Sequence, residues 1–349
     1  MYARMLCVGL TAGLALGMVL PATPANAETH TLKFAPLGSG KHPASKRFRQ
    51  WTKDIEAKSG GRLKIAIVPP DKRAPYPKRH AMVLSGAADI SWLLHGFSPG
   101  KFPLTGLSGL PDLVGSAEAG SKMLNDPALK RAYLDREHKG MKALLLFTSS
   151  PLNLFLATAP VQGIADMKCK RIRAASVTMR SFIAALGATP VRVPAPRMLD
   201  AMKKGTLHGT LTDYGGAAIA FRLAPVTKYV TEIYSSVASF CLCMNAGTYQ
   251  RLPADLRKLI DQSFVGMEAE IGKGFDGLDP IGKRIMLKAG VKPVKLSTAE
   301  AAKFRTIGAQ VAAARVAALE KRGLPARAAY TMMQKLAAKH GAGSKDLRK

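Results

Sequence analysis

Residues Asp166–Gly209, DMKCKRIRAASVTMRSFIAALGATPVRVPAPRMLDAMKKGTLHG, decide the fold. Their spacing reads strand, helix, strand, helix, strand. Arg171, Ile172 and Arg173 close a short extended run. Met179, Phe182, Ile183 and Leu186 then recur on one face of a 3.6-residue period. Gly187 stands where a helix ends in a left-handed residue. Val191 and Val193 alternate as a second strand, and Met198, Leu199 and Met202 line a second helix that Gly205 ends. In open α/β sheets, ligands sit beyond the carboxyl ends of the strands. Arg173 occupies such an end, and its planar fork suits a carboxylate.

The same alternation continues outward. TLKFAPL reads as a first strand and Gly38–Pro43 as a loop. A helix follows with Phe48, Trp51 and Ile55 on one face. Leu63, Ile65 and Ile67 alternate as a strand, His80–Leu84 open a helix ended by Gly86, and Ala88–Leu93 form the next strand. This is the βαβαβ order of a wound sheet. Ala143–Phe147 and Asn153–Ala157 read as strands separated by Ser149-Ser150-Pro151, which places a first crossing between two lobes. A second crossing falls near Ser239–Asn245, and the helix opened by Pro253 returns to the first lobe. Ser297-Thr298-Ala299-Glu300 reads as a capping box before a long helix that runs to Gly323. The expected division is a leader at 1–27, lobe I at 28–150 with 240–278 returning to it, and lobe II at 151–239. Residues 279–340 are expected to pack on lobe II, with a disordered tail at 341–349.

The N-terminus has one basic residue, Arg4, an apolar run from Met5 to Leu20 and a small-x-small site at Ala25-Asn26-Ala27. This is the pattern of a cleavable secretory signal peptide, too short for a membrane span. Roughly 320 residues remain, enough for two lobes with separate cores. The formal net charge of +29 admits nucleic acid, acidic surfaces or anionic ligands as partners. Basic residues are spread through every segment, and no nucleic-acid-binding motif is present, so nucleic acid is excluded as the partner. Beyond Cys7, the cysteines Cys169, Cys241 and Cys243 are an odd set. Cys241 and Cys243 share one face of SFCLCMN, where a disulfide between them is sterically poor. They read as two small buried hydrophobes, and no histidine lies near them in sequence to suggest a metal. GLSGL lacks the second glycine of a nucleophile elbow, and GSGKH lacks the pattern of a phosphate loop. No enzyme motif, metal site or cofactor is expected.

The motifs DMKCKRIR, ALGATP and AMKKGTLHG resemble, in order and spacing, a family pattern of D-L-K-G-x-K-I-R, A-L-G-A-x-P and A-L-x-x-G-x-V-D-G. That pattern belongs to the solute-binding proteins of tripartite ATP-independent periplasmic (TRAP) transporters, the DctP family. RLKIAIVPP, KYVTEIY through RLPADLRKLI, GVKPVKLSTAEAAKF and KRGLPA extend the resemblance over nearly all of the chain after the leader. It implies a two-lobed α/β periplasmic-binding-protein fold, with a ligand cleft between lobes joined by crossing strands and a long helix. Periodicity alone also permits other two-domain α/β proteins. The implied function is capture of a small organic acid in the periplasm, by a monomer, for delivery to a TRAP membrane permease.

The resemblance makes Arg173 the carboxylate anchor. Thr212 stands where the family often has asparagine, and His208 replaces the aspartate of V-D-G. Asp213 and Tyr214 follow, and Tyr214 is positioned to stack on a ring-bearing ligand. Asn153 takes a position where many members carry an arginine or a polar residue, and the loss of a second cation favours one carboxylate on an apolar body over a dicarboxylate. His42 matches a loop S-x-H-P, and Trp92 ends a strand where the family often places a cleft residue. Phe240 and Asn245 flank the return strand. Each has a plainer competing reading: core packing for Trp92, a structural histidine for His42, solvated loop for Thr212, Asp213 and Tyr214. Arg171, Arg180 and Arg192 read as surface arginines. Rival functions are a receptor for an ATP-driven permease or a sensor kinase, an exported hydrolase or transferase, and a basic protein that binds acidic polymer or envelope.

Overall fold

The structure, a computed structural model, describes residues 28–36, 42–69 and 75–348. The expected leader at 1–27 and part of the Gly38–Pro43 loop lie outside these residues. The chain begins β1 (His30–Ala35), α1 (Pro43–Lys58), β2 (Leu63–Ile67), α2 (Arg79–Leu84) and β3 (Ile90–Leu94). It continues through α3 (Ala117–Asn125), the single turn α4 (Pro127–Leu129) and β4 (Met141–Thr148), and crosses to β5 (Asn153–Leu156). Next come β6 (Arg171–Arg173), α5 (Val177–Ala185), β7 (Thr189–Val191), α6 (Met198–Lys203), β8 (Gly209–Thr212) and β9 (Tyr229–Glu232). The return runs through β10 (Ser239–Asn245), α7 (Ala246–Arg251), α8 (Ala254–Gln262) and α9 (Met267–Asp276). The last elements are α10 (Leu278–Lys288), β11 (Lys292–Lys295), α11 (Thr298–Glu320) and α12 (Ala326–Gly341).

Two sheets result, ordered β2-β1-β3-β10-β4 and β11-β9-β5-β8-β6-β7. Each is parallel except where a crossing strand enters: β10 is antiparallel to β3 and β4, and β5 is antiparallel to β8 and β9. Both faces of each sheet are covered, which gives four apolar clusters and the two-lobed α/β architecture. The expected helix faces are buried: Phe48, Trp51 and Ile55 under the first sheet, and Met179, Phe182, Ile183 and Leu186 under the second. Gly187 has φ 90° and ends α5 as its position requires.

The lobes are tied where Ser149 N bonds Ala238 O and Leu152 N bonds Ser236 O, at 2.8 and 2.9 Å. The second crossing is therefore the 233–238 segment, while Ser239–Asn245 is already inside the first sheet. A third tie is the kink between α9, packed on α3, and α10, whose Met286 joins the second lobe's core. Gly272 permits that first packing, because a Cβ there would run into the backbone of Ala117 and Glu118.

Several expectations are corrected. The second strand of the opening stretch ends at Val191, and Val193 lies beyond it. Ser297 Oγ accepts from Glu300 N, but the Glu300 carboxylate accepts instead from Ile164 N and Lys303 Nζ, so the capping box is only half formed. α11 bridges the lobes, with Phe304 and Val311 in one core and Val316 and Leu319 in the other. α12 packs on α3 in the first lobe, away from lobe II, because its Ala329 and Met333 stripe fits the cluster around Met123 and Leu124. The tail is docked: Leu347 N bonds Gly115 O, and Arg348 Nη1 donates to Asp112 O.

Cys241 and Cys243, read as unbonded, form a disulfide with their Cα atoms 5.4 Å apart. Alternate residues of a regular strand are about 6.6 Å apart. That separation already falls within the span a disulfide bridges, and the register slip beside the pair leaves its extra residue, Leu144, on β4. Among the described residues, no helix is long and apolar enough to cross a membrane.

Candidate functional site

Arg173 ends β6, paired in register with Val191 of β7 and Thr210 of β8. Its side chain is 3% exposed. Nε donates to Val193 O at 3.2 Å, and among the described residues no carboxylate pairs with the guanidinium. Burial without a countercharge pushes its pKa down to about 10.

The guanidinium lines a cavity of about 530 Å³ walled by both lobes. The second lobe supplies Ala174–Val177, leading into the capped N-terminus of α5, and the segment Val193–Pro196. The first lobe supplies Gly96, Phe97 and Pro99 after β3, Pro75 and Pro77 before α2, and Arg79 at its first position. Gly96 lies against the Ala175 carbonyl, where any Cβ would collide, so the lobes touch across the cavity. Thr178 Oγ1 donates to Gly106 O at 3.3 Å as a second contact between them.

Four arginines, 79, 173, 180 and 192, line this space, and no acidic residue is among the described lining. Prolines at 75, 77, 99, 194 and 196 make much of the remaining wall. Arg79 is buried and donates from Nη1 to Ala35 O and Pro36 O, which fixes the end of β1. Arg180 and Arg192, read from sequence as surface residues, stand at the cavity; Arg171 stays outside, bonded to Thr206 O and Gly205 O. Parallel pairing explains Arg192. Residue 191 is level with residue 173, so the residue after β7 reaches the same edge. That signal was available in the spacing of the opening stretch.

The other expected site residues fall outside this wall, in two groups. His42, Trp92 and Phe240 belong to one aromatic cluster of the first lobe. Trp92 lies 5.5 Å from Phe48 and 5.8 Å from Phe240, ring to ring, and Phe240 is stacked against both Phe147 and Phe275. His42 caps α1 through Nδ1, which accepts from Ala44 N, and its ring lies 4.5 Å from Phe275. Burial pushes its pKa down to about 4. Trp92 is buried, and its Nε1 has no partner among the described residues.

Asn153, Thr212, Asp213 and Tyr214 gather at the joint of the second lobe. Asn153 Oδ1 accepts from Ile233 N and Tyr234 N, holding the crossing segment. Asp213 Oδ1 accepts from Gly216 N at 2.6 Å, and Thr212 is buried beside that turn. Tyr214 is fully buried, donating to Glu232 Oε1 at 2.9 Å with its ring edge-on to Phe155. Asn245 caps α7 and donates to Val83 O, a structural role. His208 accepts from Arg171 N at the strand edge.

Residues 34–318 match the family described as bacterial extracellular solute-binding protein, family 7 (DctP). A TRAP solute-binding protein from Rhodoferax ferrireducens T118, solved with copurified benzoate, superposes with a TM-score of 0.84 at 26% identity. That alignment covers 91% of this chain and 100% of the other. A marine metagenome TRAP solute-binding protein specific for aromatic acid ligands, in complex with metahydroxyphenylacetate, gives 0.82 at 25% identity, covering 89% and 99%. The Salmonella typhimurium protein YiiZ, itself uncharacterized, is 22% identical over 209 residues, which are 59% of this chain and 64% of that protein. A match over most of the chain, with the two-lobed fold, leads to one conclusion: this chain belongs to the DctP family of TRAP-type periplasmic solute-binding proteins.

Proposed function

We propose that this chain is an exported periplasmic receptor for an organic acid, with the carboxylate anchored on Arg173 and the apolar body held against the proline-rich walls. The observation that carries this reading is the buried Arg173 guanidinium, which lacks an acidic partner among the described residues and opens onto a cavity between the lobes. Arg180 and Arg192 add positive potential at the same space, which attracts anions before contact. Benzoate and metahydroxyphenylacetate, the ligands of the two similar structures, each join one carboxylate to an aromatic body. Loaded, the receptor delivers its ligand to a TRAP membrane permease and performs no chemistry on it. The joint formed by Ser149–Leu152, residues 233–238 and the α9–α10 kink is the place about which the lobes close.

The test is a melting-temperature screen of ligand-stripped protein against aromatic and aliphatic mono- and dicarboxylates. A micromolar binder at millimolar concentration adds about 4 kcal/mol, a shift of roughly 5–10 °C. The expected result is a strong shift with an aromatic monocarboxylate that disappears in Arg173→Met. Folded wild type that shifts with no carboxylate, or an Arg173→Met variant that shifts equally, overturns the reading.

A further inference from the structure

We propose that His95, His138 and Cys241 form a buried site for a monovalent thiophilic ion, Cu(I), which opens when the Cys241–Cys243 disulfide is reduced. Three elements of the first lobe converge to build it. His95 follows β3, His138 ends the turn before β4, and Cys241 lies on β10 between them. One ligand atom from each lies within 4.8 Å of the others. The cysteines are far from any histidine in sequence, so only the sheet order makes the set visible.

The hydrogen bonds are already those of a metal site with a proton in place of the ion. His138 Nδ1 is 2.9 Å from Leu134 O, and a carbonyl only accepts, so Nδ1 carries the proton and Nε2 a lone pair. His95 Nε2 lies 3.2 Å from that Nε2 and donates to it, while His95 Nδ1 accepts from Ser239 Oγ at 3.1 Å. When an ion takes the place of the shared proton, that same proton moves from Nε2 to Nδ1 of His95, which then donates to Ser239 Oγ. Both imidazoles then present Nε2 inward and are held from outside through Nδ1, the arrangement that orients ligating histidines. Two nitrogens bound at about 2.0 Å to one ion sit roughly 3.3–3.5 Å apart, close to the spacing found.

The third donor requires reduction, since a disulfide sulfur is not a thiolate. A dithiol reductant supplies the two electrons by exchange. Its sulfurs become a disulfide, the Cys241–Cys243 bond breaks, and each cysteine gains one proton. On ion binding, Cys241 releases its proton to solvent and its sulfur lone pair forms the bond; the ion's oxidation state is unchanged. The donors are 4%, 1% and 0% exposed, so a bound ion would sit in the lobe core, away from bulk solvent. Imidazole nitrogen and thiolate sulfur suit Cu(I), which needs only two or three such donors. Reduction also frees the Cys243 thiol beside Cys241, a fourth donor that would serve Zn(II), so Zn(II) held in preference to Cu(I) also overturns the proposal. A cavity of about 50 Å³, bordered by His95 and Ser239 and by Ser176 and Thr178 of the second lobe, gives a route inward.

The experiment titrates Cu(I) under nitrogen against the chromophoric competitor bicinchoninate, in a Cys7→Ser, Cys169→Ser background that removes other thiols. The dithiol-reduced protein should withhold one equivalent of Cu(I), at least 100-fold more tightly than the oxidised protein. Cys243→Ser, which frees Cys241 without reductant, should do the same if it folds; the reduced background protein carries the test if it does not. His95→Gln and Cys241→Ser, checked for folding by circular dichroism, should release the ion. Loss of all Cu(I) to the competitor by the reduced protein, or retention that survives Cys241→Ser, overturns the proposal.

Discussion

Two places along the carboxyl edge of the second sheet, after β6 and after its parallel neighbour β8, hold buried charge, and they differ in what faces it. At the β6–β7 end, Arg173 and its neighbouring arginines meet a cavity with no acid among the described lining. At the β8 end, Asp213 stands near Asp276 and Asp279 of the α9–α10 kink; Asp213 and Asp276 are spent on the protein itself, while Asp279 Oδ1 has no partner among the described residues. Asp276 accepts from Ala117 N, Glu118 N and Ser150 Oγ at 2.8–3.0 Å, which ties the crossing strand to the start of α3. Asp213 holds the turn at Gly216. Both ends carry perturbed groups: burial lowers Arg173 to about 10 and raises Asp213 to about 6 and Asp279 to about 7, the last also through Asp213. On the function proposed above, a buried charge that is unpaired beside open space serves binding. Where it is bonded to backbone at a junction, it marks a joint.

The strongest way to break this contrast is Arg173→Met. Truncating a charge that meets a buried carboxylate costs about 2–5 kcal/mol of binding, or roughly 30-fold to several thousand-fold in affinity. Ligand-free stability should stay level or rise, because the methionine removes an uncompensated buried cation. Calorimetric titration with the best ligand from the screen, paired with melting of the empty protein, measures both. A large fall in ligand-free melting temperature would place Arg173 with the joint residues.

Asp279→Asn should do the reverse, changing stability and sparing affinity. The folded pKa of about 7 lies above the unfolded value of 3.8. The folded state therefore binds the proton more tightly, and its stability falls as pH rises from about 4 through 7. A folded pKa one pH unit above the unfolded value corresponds to about 1.4 kcal/mol, and the Asp213 and Asp276 charges share the cost. The asparagine variant, which cannot ionise, should be more stable than wild type by about 2 kcal/mol or more at pH 8. The gain should shrink toward zero by pH 4. Urea unfolding at three pH values checks it, and a pH-independent difference would point to packing instead.

Much of this was legible in the sequence, for reasons that name its limits. Met179, Phe182 and Ile183 are one helix face, and burial follows from periodicity. Gly187, Gly205 and Gly323 end helices with φ of 90°, 67° and 75°, as punctuation alone suggests. Arg173 could be placed because a strand end is a local feature. Asp213 and Tyr214 also follow a strand end, yet they turn toward Gly216 and Glu232, which only the tertiary fold brings there. Trp92 was correctly placed on its strand, but its ring faces a cluster built from α1, β4, β10 and α9. The Cys241–Cys243 disulfide was missed because two residues sharing a strand face were read as sterically poor partners, although their spacing lies within bridging range.

Cys169 offers a smaller test that touches neither end. The family pattern has glycine there, and Cys169 takes φ 61°, the left-handed region that costs a non-glycine residue about 1–2 kcal/mol. Its side chain is exposed, so little packing is lost. Cys169→Gly should raise the melting temperature by about 2–4 °C, the smaller flexibility cost of glycine in the unfolded chain included, with affinity unchanged. A lower melting temperature would mean the sulfur makes contacts that outweigh the backbone strain.

The smallest effect should come from Arg192→Ala, and it sharpens the contrast by separating contact from potential. Arg192 lines the cavity but is exposed, so solvent screens it as it does not screen Arg173. Exposed charge pairs typically contribute little, so affinity should fall only about threefold at low salt. That difference should fade once ionic strength shortens the Debye length to about 3 Å near 1 M salt. The Arg173→Met deficit should persist at the same salt, because a closed cavity excludes the counterions. Binding measured at both ionic strengths for both variants decides it. A salt-resistant loss in Arg192→Ala would make it a second direct contact and turn the ligand class toward acids with two anionic groups.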